Sequence, residues 1–472
     1  MLAAVVVAAV LAPGPAGGGA RPAAVSWSGG FTLPLSAQPV ALTVLESGAS
    51  AVVSLGPGHA TGVQTSLARS SGRFGFSLPG RPWPLVFSGT ATASTVTGSV
   101  RQGATAGRFR LARVARPPLD SVLGLYRLAS GHVLGLVDYR RLGLPVWAVD
   151  YSTGSFRALS GTPGVLRAGP TVLRTAPTVA RGTVANGRLT WQGARATRLP
   201  VRQYEIRFPS AGVTLAGTLT VPATPGRHPA VAVVHGSGPS LRDEGQFTAG
   251  LFLTHGIAVL SYDKRGNGQS GGIYPGGFAS AQAIEAYAAD ADAAIRFLGR
   301  QPDLDPHRLG LFGGSQGGWI VPLAAFHSPL VRFAVLESGP VVSVGESDSF
   351  AAYTSQGAAP LARPLAQIEA QVEHDGPSGF DPRPFIRRLT IPMLWLYGGV
   401  DMNQPSHLDV KDLEQLKAAT GHDYEWHLYP DGNHGLFELK TGLNSDLASS
   451  RGLPAAFFAD VASWLREHGL AR

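Results

Sequence analysis

The sequence predicts two parts in series: a β-rich region over residues 25–200, then a mostly parallel α/β sheet with helices on both faces over residues 201–472. Three observations carry this. Up to Leu199 the chain is written in short runs of period-two alternation broken by Gly, Pro and Ser, and no stretch of ten residues shows helical spacing. Beyond Pro200, short wholly apolar runs alternate with helical stretches, as strands buried on both faces and their crossover helices require. Finally, 472 residues with 44% hydrophobic composition exceed one compact core and exclude wholesale disorder.

Taken in order, Leu2 to Ala12 is an apolar run followed by Pro-Gly and small residues ending in Gly18-Gly19-Ala20. It is too short to span a bilayer and matches the core and cleavage zone of a secretory signal, although no Lys or Arg precedes it. Residues 1–24 are therefore read as an export signal, the alternative being a disordered tail. No later run of 18 apolar residues follows, so no transmembrane segment is expected.

In the β-rich region, Phe74, Phe76 and Leu78 alternate with Gly75 and Ser77, and Phe109 and Leu111 alternate with Arg108 and Arg110. Gly182 to Val184, then Asn186-Gly187, then Leu189 to Trp191 reads as a tight hairpin, because Asn-Gly adopts the positive φ values of a type I′ turn. Whether residues 26–200 form one sandwich or barrel, or two divided near Arg116-Pro117-Pro118, stays open at this level. No clean internal repeat is visible. Beyond Pro200 the expected strands are Tyr204–Phe208, Val213–Val221, Ala230–Val234, Ile257–Leu260, Leu309–Phe312, Phe333–Leu336 and Met393–Tyr397. The clearest helices are Ala281–Leu298, with Ile284, Ala288, Ala291, Ile295 and Leu298 on one face, and the closing Pro454–His468.

The absence of cysteine excludes disulfides, a thiolate nucleophile and sulfur-ligated metals. Net charge is +8, unevenly spread: residues 1–200 carry nineteen arginines against four acids, a net +15, and residues 201–472 a net −7. The arginines are scattered among Gly, Ser and Thr without a recognition motif, so nucleic acid is not the expected partner. Opposite signs predict either two mutually attracting domains or a basic module facing an anionic cell envelope.

Phe312-Gly313-Gly314-Ser315-Gln316-Gly317-Gly318-Trp319 contains Gly-x-Ser-x-Gly, a pattern in which a serine sits on a strained strand-to-helix turn. Gly268-Gln269-Ser270-Gly271-Gly272 matches too, but only Ser315 follows an apolar strand and precedes a helix, Trp319–Phe326. Ser315 is thus the candidate nucleophile, its flanking glycines expected where a Cβ would strike neighbouring backbone. A serine hydroxyl needs a base, and His434 in Asp431-Gly432-Asn433-His434-Gly435 follows downstream. The carboxylate that fixes the imidazole is Asp401, just past an apolar strand, with Glu337 as competitor. The backbone N–H of Gln316 is one expected oxyanion donor, and the loop His235-Gly236-Ser237-Gly238-Pro239 supplies the other from Ser237, or alternatively Gly236. This chemistry calls for no cofactor and no metal.

Together with Tyr262-Asp263-Lys264-Arg265-Gly266-Asn267-Gly268 and Gly398-Gly399-Val400-Asp401, these motifs make residues 201–472 resemble the α/β-hydrolase superfamily, in particular its secreted serine-esterase and serine-aminopeptidase-like branch. The resemblance implies an α/β hydrolase fold, and it implies that Asp263 and Arg265 brace their loop. It places a cap over the site at about residues 341–390, with Gly376-Pro377-Ser378-Gly379 as a flexible joint. In the cap and the loops around it, Trp319, Phe350, Tyr353 and Phe385 are expected substrate-pocket residues, and Glu346 and Asp348 the available anchors for an amine. The functional expectation is a carboxylesterase acting on small-molecule esters through an acyl-enzyme. The alternatives are a serine aminopeptidase or acyl-peptidase of the same fold acting on peptides, and, from another class, an inactive envelope-binding protein.

Overall fold

The computed structural model describes residues 25–34, 40–47, 50–55, 63–70, 72–78, 83–114, 119–140, 144–185, 188–275 and 280–471. The export-signal reading, the Arg116-Pro117-Pro118 stretch and the Asn186-Gly187 turn lie outside them. The chain forms two compact units: one runs to Ser121 and includes Asp138–Val146, and the other comprises Val122–Val137 and Trp147–Arg472.

In the first unit, strands β1 (Val25–Thr32), β2 (Val40–Ser47), β3 (Ser50–Leu55), β4 (Val63–Ser66), β5 (Ala68–Ser70), β6 (Arg73–Leu78), β7 (Leu85–Ala91), β8 (Thr95–Gln102) and β9 (Thr105–Val114) form an antiparallel meander in which β9 returns to pair with β1. β4 and β5 are halves of one segment interrupted at Leu67, and they pair with β3 and β6 respectively. The sheet therefore closes through the chain itself as eight strands, and Thr65 Oγ1 donates across the seam to Ser77 O at 2.8 Å. Closure removes the exposed edges of a meander. Phe74, Phe76 and Phe109 face inward, as the alternation predicts, together with Trp27, Phe31 and Phe87, and Arg108 and Arg110 point outward.

In the second unit, β10 (Gly124–Leu128), β11 (Val133–Asp138), β12 (Val146–Asp150), β13 (Phe156–Thr162), β14 (Val165–Ala168), β15 (Ala180–Ala185), β16 (Arg188–Trp191) and β17 (Ala194–Arg198) form a closed barrel. Gly182 to Ala185 pairs with Arg188 to Trp191 in the hairpin register the sequence implies. The open choice for residues 26–200 resolves as two eight-stranded meanders, a repeat of architecture that the sequence hides.

The third sheet, in residues 201–472, runs β18 (Val201–Ser210), β19 (Val213–Pro222), β21 (Ala258–Tyr262), β20 (His228–Val234), β22 (Leu304–Gly314), β23 (Phe333–Glu337), β24 (Met393–Gly398) and β25 (Tyr424–Tyr429) in spatial order, parallel from β21 onward. This is the mostly parallel architecture of an α/β hydrolase. Helices α2 (Ala281–Leu298), α3 (Gly317–His327) and α7 (Ser406–Thr420) share one face with Leu309, Leu311, Ala334 and Trp395. On the other face, α1 (Gln246–Leu253) sets Phe252 against Phe312, and α8 (Ala455–Glu467) sets Trp464 against Phe333. Between β23 and β24 lie α4 (Val344–Thr354), α5 (Leu365–Asp375) and α6 (Arg383–Ile386), where a cap is expected. No described helix is long and apolar enough to cross a membrane.

The boundary expected at residue 200 does not separate compact units. β11 and β12 are buried on both faces, and the second barrel packs its outer aromatic residues on the region beyond residue 200. Tyr151 stacks on Phe247 of α1 with centroids 5.6 Å apart, and Phe156 meets Phe437 at 5.3 Å and Phe247 at 5.2 Å. Phe156 N donates to Arg451 O and Val172 N to Ser450 O, while Leu453 N donates back to Gly154 O. This contact is aromatic and hydrogen-bonded rather than a meeting of opposite charges. Phe156→Ala should therefore lower stability by about 3–5 kcal/mol, the usual loss for a buried phenylalanine, and a chain beginning at Val201 should aggregate through uncovered Phe247 and Phe437. A soluble, fully active Val201–Arg472 fragment would show that the second barrel is dispensable.

Candidate active site

The site is assembled where the parallel strands end. Ser315 follows β22 and precedes α3 with φ +50°, a left-handed conformation rare for a side-chain-bearing residue. Two hydrogen bonds hold it: Ser315 N donates to Glu337 O at 2.9 Å, and Gly318 N donates to Ser315 O at 2.8 Å. The glycine requirement is placed differently from the motif's outline. A Cβ at Gly313 would lie 2.7 Å from Val321 Cγ2, and one at Gly318 would lie 2.3 Å from Pro340 N, whereas Gly314 faces open space and Gly317 clears Val234 O at 3.4 Å.

His434 Nε2 lies 2.9 Å from Ser315 Oγ, and His434 Nδ1 lies 2.8 Å from Asp401 Oδ2. The carboxylate fixes the tautomer, with Nδ1–H donating to it and the serine hydroxyl donating to Nε2. Asp401 is 1% exposed, and its other oxygen accepts from Asn403 N at 2.7 Å and Gln404 N at 3.0 Å. The histidine loop comes this close because β24 ends in glycine: a Cβ at Gly398 would lie 2.2 Å from Gly432 O. Asn433 Oδ1 accepts from Gly435 N and Phe437 N, closing the loop on itself. Phe437 in turn packs on Trp147 and Phe156, so the second barrel supports the histidine loop.

Burial pulls the His434 pKa down, but the charge and hydrogen bond of Asp401, with the charges of Glu337 and Asp409, outweigh it and raise the pKa above its ordinary 6.5. Glu337 stands at the end of β23 beside His434, and burial pushes its pKa up to about 7 while the His434 charge acts in the opposite sense. It makes no side-chain hydrogen bond among the described residues, so of the two competing acids it is Asp401 that touches the imidazole. Asp409, with its pKa also raised to about 7 by burial, accepts from Val341 N, Val342 N and Gln404 Nε2 and so ties the cap entrance to the Asp401 loop.

Gly236 lies against Ser315, where an added Cβ would be 3.3 Å from Ser315 Cβ, and Ser237 beside it is exposed. The second serine match has another role: Ser270 Oγ donates to Asp263 O at 2.6 Å and accepts from Ala216 N at 2.9 Å. Asp263 and Arg265 do not pair with each other. Asp263 binds Arg242 (2.7 Å) and Arg265 binds Asp290 (2.6 Å), so each braces a different element.

The expected pocket residues are engaged elsewhere. Trp319 is buried, its Nε1 donating to Val342 O, and Phe350 is enclosed in the cap's own core with Ile368 and Val372. Tyr353 is exposed, its hydroxyl donating to Asp375, and Phe385 packs on Phe326 and Phe380. Glu346 closes a capping box at the start of α4 and pairs with Arg383 at 2.9 Å, which neutralises it as an amine anchor, and Asp348 is exposed on that helix. The Gly376–Gly379 joint is also pinned, since Gly345 N donates to Ser378 O and Ser378 N donates to Ser343 Oγ.

The residues missed from sequence are Lys264, Asp409 and Arg242. Lys264 lay in plain view between Asp263 and Arg265, and a lysine inside a turn of buried charges is itself a signal. Asp409 offered none, because a helical acid is ordinarily solvated.

Residues 226–378 match the model of the serine aminopeptidase S33 family. The chain is 27% identical over 225 residues to an uncharacterized peptidase, YtmA, of Bacillus subtilis (strain 168), covering 46% of this chain and 81% of that protein. It is 26% identical over 281 residues to an uncharacterized protein of Mycobacterium tuberculosis (strain CDC 1551 / Oshkosh), covering 55% and 87%. Among solved structures it is similar to the Pyrococcus furiosus esterase Pf2001, at 16% identity and TM-score 0.42, covering 57% of this chain and 92% of that one.

Two substitutions discriminate the acids. Asp401→Asn should cost about 10⁴-fold in kcat, the loss produced when the imidazole tautomer is no longer fixed, whereas Glu337→Gln should cost less than about tenfold, its carboxylate not touching the ring. The imidazole must be neutral to accept the serine proton, so the rate should fall as pH drops through the raised His434 pKa, giving an acid limb above pH 6.5. Glu337→Gln removes a negative charge beside His434 and should move that limb to lower pH. The reverse ranking of the two variants would transfer the acid's role to Glu337.

Proposed function

We propose that the protein is a serine hydrolase that cleaves carboxylic esters through an acyl-enzyme. The observation that carries this is the unbroken chain Ser315–His434–Asp401, at 2.9 and 2.8 Å, on a serine held at φ +50°. Ser315 Oγ attacks the ester carbonyl carbon while His434 Nε2 takes its proton, and Asp401 stabilises the imidazolium that forms. Backbone N–H groups of Gln316 and of the Gly236-Ser237 segment receive the developing oxyanion. The tetrahedral intermediate collapses with proton return from His434 to the departing alkoxide, leaving the acyl group on Ser315. Water, deprotonated by the same histidine, then releases the acid.

Ester rather than peptide specificity is supported by Glu346, whose pairing with Arg383 removes the acid best placed in the sequence to bind a substrate amine. The second reading, an aminopeptidase, is favoured by the family match over residues 226–378 and by Glu337, a carboxyl beside His434 without a hydrogen-bond partner among the described residues. The check is kcat/KM for a short-chain nitrophenyl ester against aminoacyl and prolyl anilides, each corrected for uncatalysed hydrolysis, with a fluorophosphonate probe to locate the nucleophile. Faster ester turnover and labelling on the Ser315 peptide are expected. Labelling on Ser270, or on no serine, would overturn the mechanism, and a corrected preference for an anilide that collapses in Glu337→Gln would make the protein an aminopeptidase.

The basic first barrel fits an exported enzyme that contacts an anionic envelope polymer. Arg108 and Arg110 have no ion-pair partner among the described residues and line, with Thr97 and Ser99, a groove of about 850 Å³. Such contact is weakened by salt. The Arg108→Ser/Arg110→Ser double variant should elute from a polyphosphate resin at lower salt than the parent. Unchanged elution, or a wholly cytoplasmic protein on fractionation, would rule the envelope role out.

A further inference from the structure

Lys264 follows β21 and is 3% exposed, yet among the described residues no carboxylate lies within ion-pair distance of it. Its neighbours' charges are committed elsewhere, Asp263 to Arg242 and Arg265 to Asp290. Its ammonium instead donates to Gly236 O at 2.7 Å, to Gly238 O at 3.3 Å and to Gln316 Oε1 at 2.9 Å, and sits 4.2 Å from the ring centroid of Tyr287. Among the described residues its hydrogen bonds all go to neutral oxygens; a buried cation held in this way is costly to desolvate, and an apolar side chain of the same volume would fill the space with less penalty.

Resting on the serine-hydrolase reading, we propose that Lys264 is a positioning residue that aims both backbone donors of the oxyanion site. In a trans peptide the C=O and the following N–H point in opposite directions, so drawing Gly236 O toward the ammonium turns the Ser237 N–H to the far side of the loop. The same ammonium anchors the side chain of Gln316, the residue whose own N–H follows the nucleophile. A single cation thereby links the 235–239 loop to the elbow, two segments separated by some eighty residues of chain. In the ammonium form its positive charge is hydrogen-bonded to both segments whose N–H groups would receive negative charge in the transition state.

Three acceptors require three donated hydrogens, which only the ammonium form has. Burial lowers the Lys264 pKa to about 7, with the charges of Glu244 and Asp290 acting to raise it. The other titratable groups facing it are His235, held neutral by a pKa near 4, Glu244, raised to about 7 by its own burial, and the rings of Tyr274 and Tyr287. Loss of the Lys264 proton leaves one of the three links unmade, so the rate falls as pH rises through this group and the profile becomes a bell.

The test uses the full chain and a nitrophenyl ester. Lys264→Met keeps the volume and should lower kcat by about 10²–10³-fold, the loss typical of one oxyanion donor, with KM within about threefold and no drop in Tm. Its residual rate should lack the alkaline limb. Gln316→Met should lower kcat by about tenfold, and the double variant should be no slower than Lys264→Met, since Lys264→Met already removes the link that Gln316→Met breaks. A folded Lys264→Met with kcat within fivefold of the parent, or one that retains the alkaline limb, overturns the proposal. If Lys264→Met fails to fold, Gln316→Met decides, and unchanged kcat there overturns it equally. Fluorophosphonate labelling of the parent at Ser315 separates the two levels: no labelling defeats the serine-hydrolase reading, whereas labelling with unaltered variants defeats the role of Lys264 alone.

Discussion

A left-handed serine at the end of a parallel strand is the constraint on which the site depends. Holding Ser315 at φ +50° costs on the order of 1–3 kcal/mol, and it persists only because the surroundings leave it no alternative. The hydrogen bond from its amide to Glu337 O continues the β22–β23 ladder past the last regular residue, and Pro340 blocks any side chain at Gly318, fixing how close α3 starts to the turn. With the elbow set, every other group arrives from the same edge of the sheet. The 235–239 loop follows β20, Glu337 ends β23, Asp401 lies beyond β24 and His434 beyond β25. Parallel strands deliver their carboxyl ends to one side, so residues far apart in sequence meet without any long excursion of the chain.

That rule explains what could be read in advance. Ser315, Asp401 and His434 were legible because each sits in a short local pattern tied to a strand end, and strand order turns three local patterns into one juxtaposition. The choice between Asp401 and Glu337 rests on Asp401 lying just past its strand, and the 2.8 Å contact is to that residue. The cap was not legible in the same way. Phe350 and Trp319 have the composition of pocket-lining residues, but whether an aromatic ring faces a cavity or a neighbouring helix depends on packing partners outside its own segment. Glu346 was a free anion in the sequence and is neutralised in the fold by Arg383, which lies 37 positions away and also pairs with Asp381 and Asp412.

The Asp263-Lys264-Arg265 turn shows how three adjacent charges can be buried without forming a cluster. Each side chain leaves in a different direction: Asp263 to Arg242 before α1, Arg265 to Asp290 on α2, and Lys264 to the loop after β20 and the residue after the nucleophile. Ser210 adds a hydrogen bond to Asp290 at 2.6 Å, which draws β18 into the same network. Removing one partner of such a pair leaves the other charge buried and uncompensated, a loss of about 3–5 kcal/mol. Specific pairing of this kind fixes which loop lies beside which, and in the proposed mechanism the oxyanion donors are where that placement would have chemical consequences.

The two barrels make the complementary point about surfaces. Both are eight-stranded meanders, yet their aromatic residues are disposed differently. Trp27, Phe31, Phe74, Phe76, Phe87 and Phe109 fill the interior of the first, while Tyr151 of the second, with its neighbours Trp147 and Phe156, meets α1, α8 and the histidine loop. Net charge pointed toward an attraction between opposite halves. Charge acts over roughly a Debye length and is screened by salt, whereas a set of interlocked rings is stabilised by removal of apolar area from water and by edge-to-face geometry. In the proposed hydrolase the histidine loop leans on such rings, so its base would be held by a neighbouring fold, even though among the described residues no hydrogen bond or ring contact joins the second barrel to Ser315, Asp401 or His434.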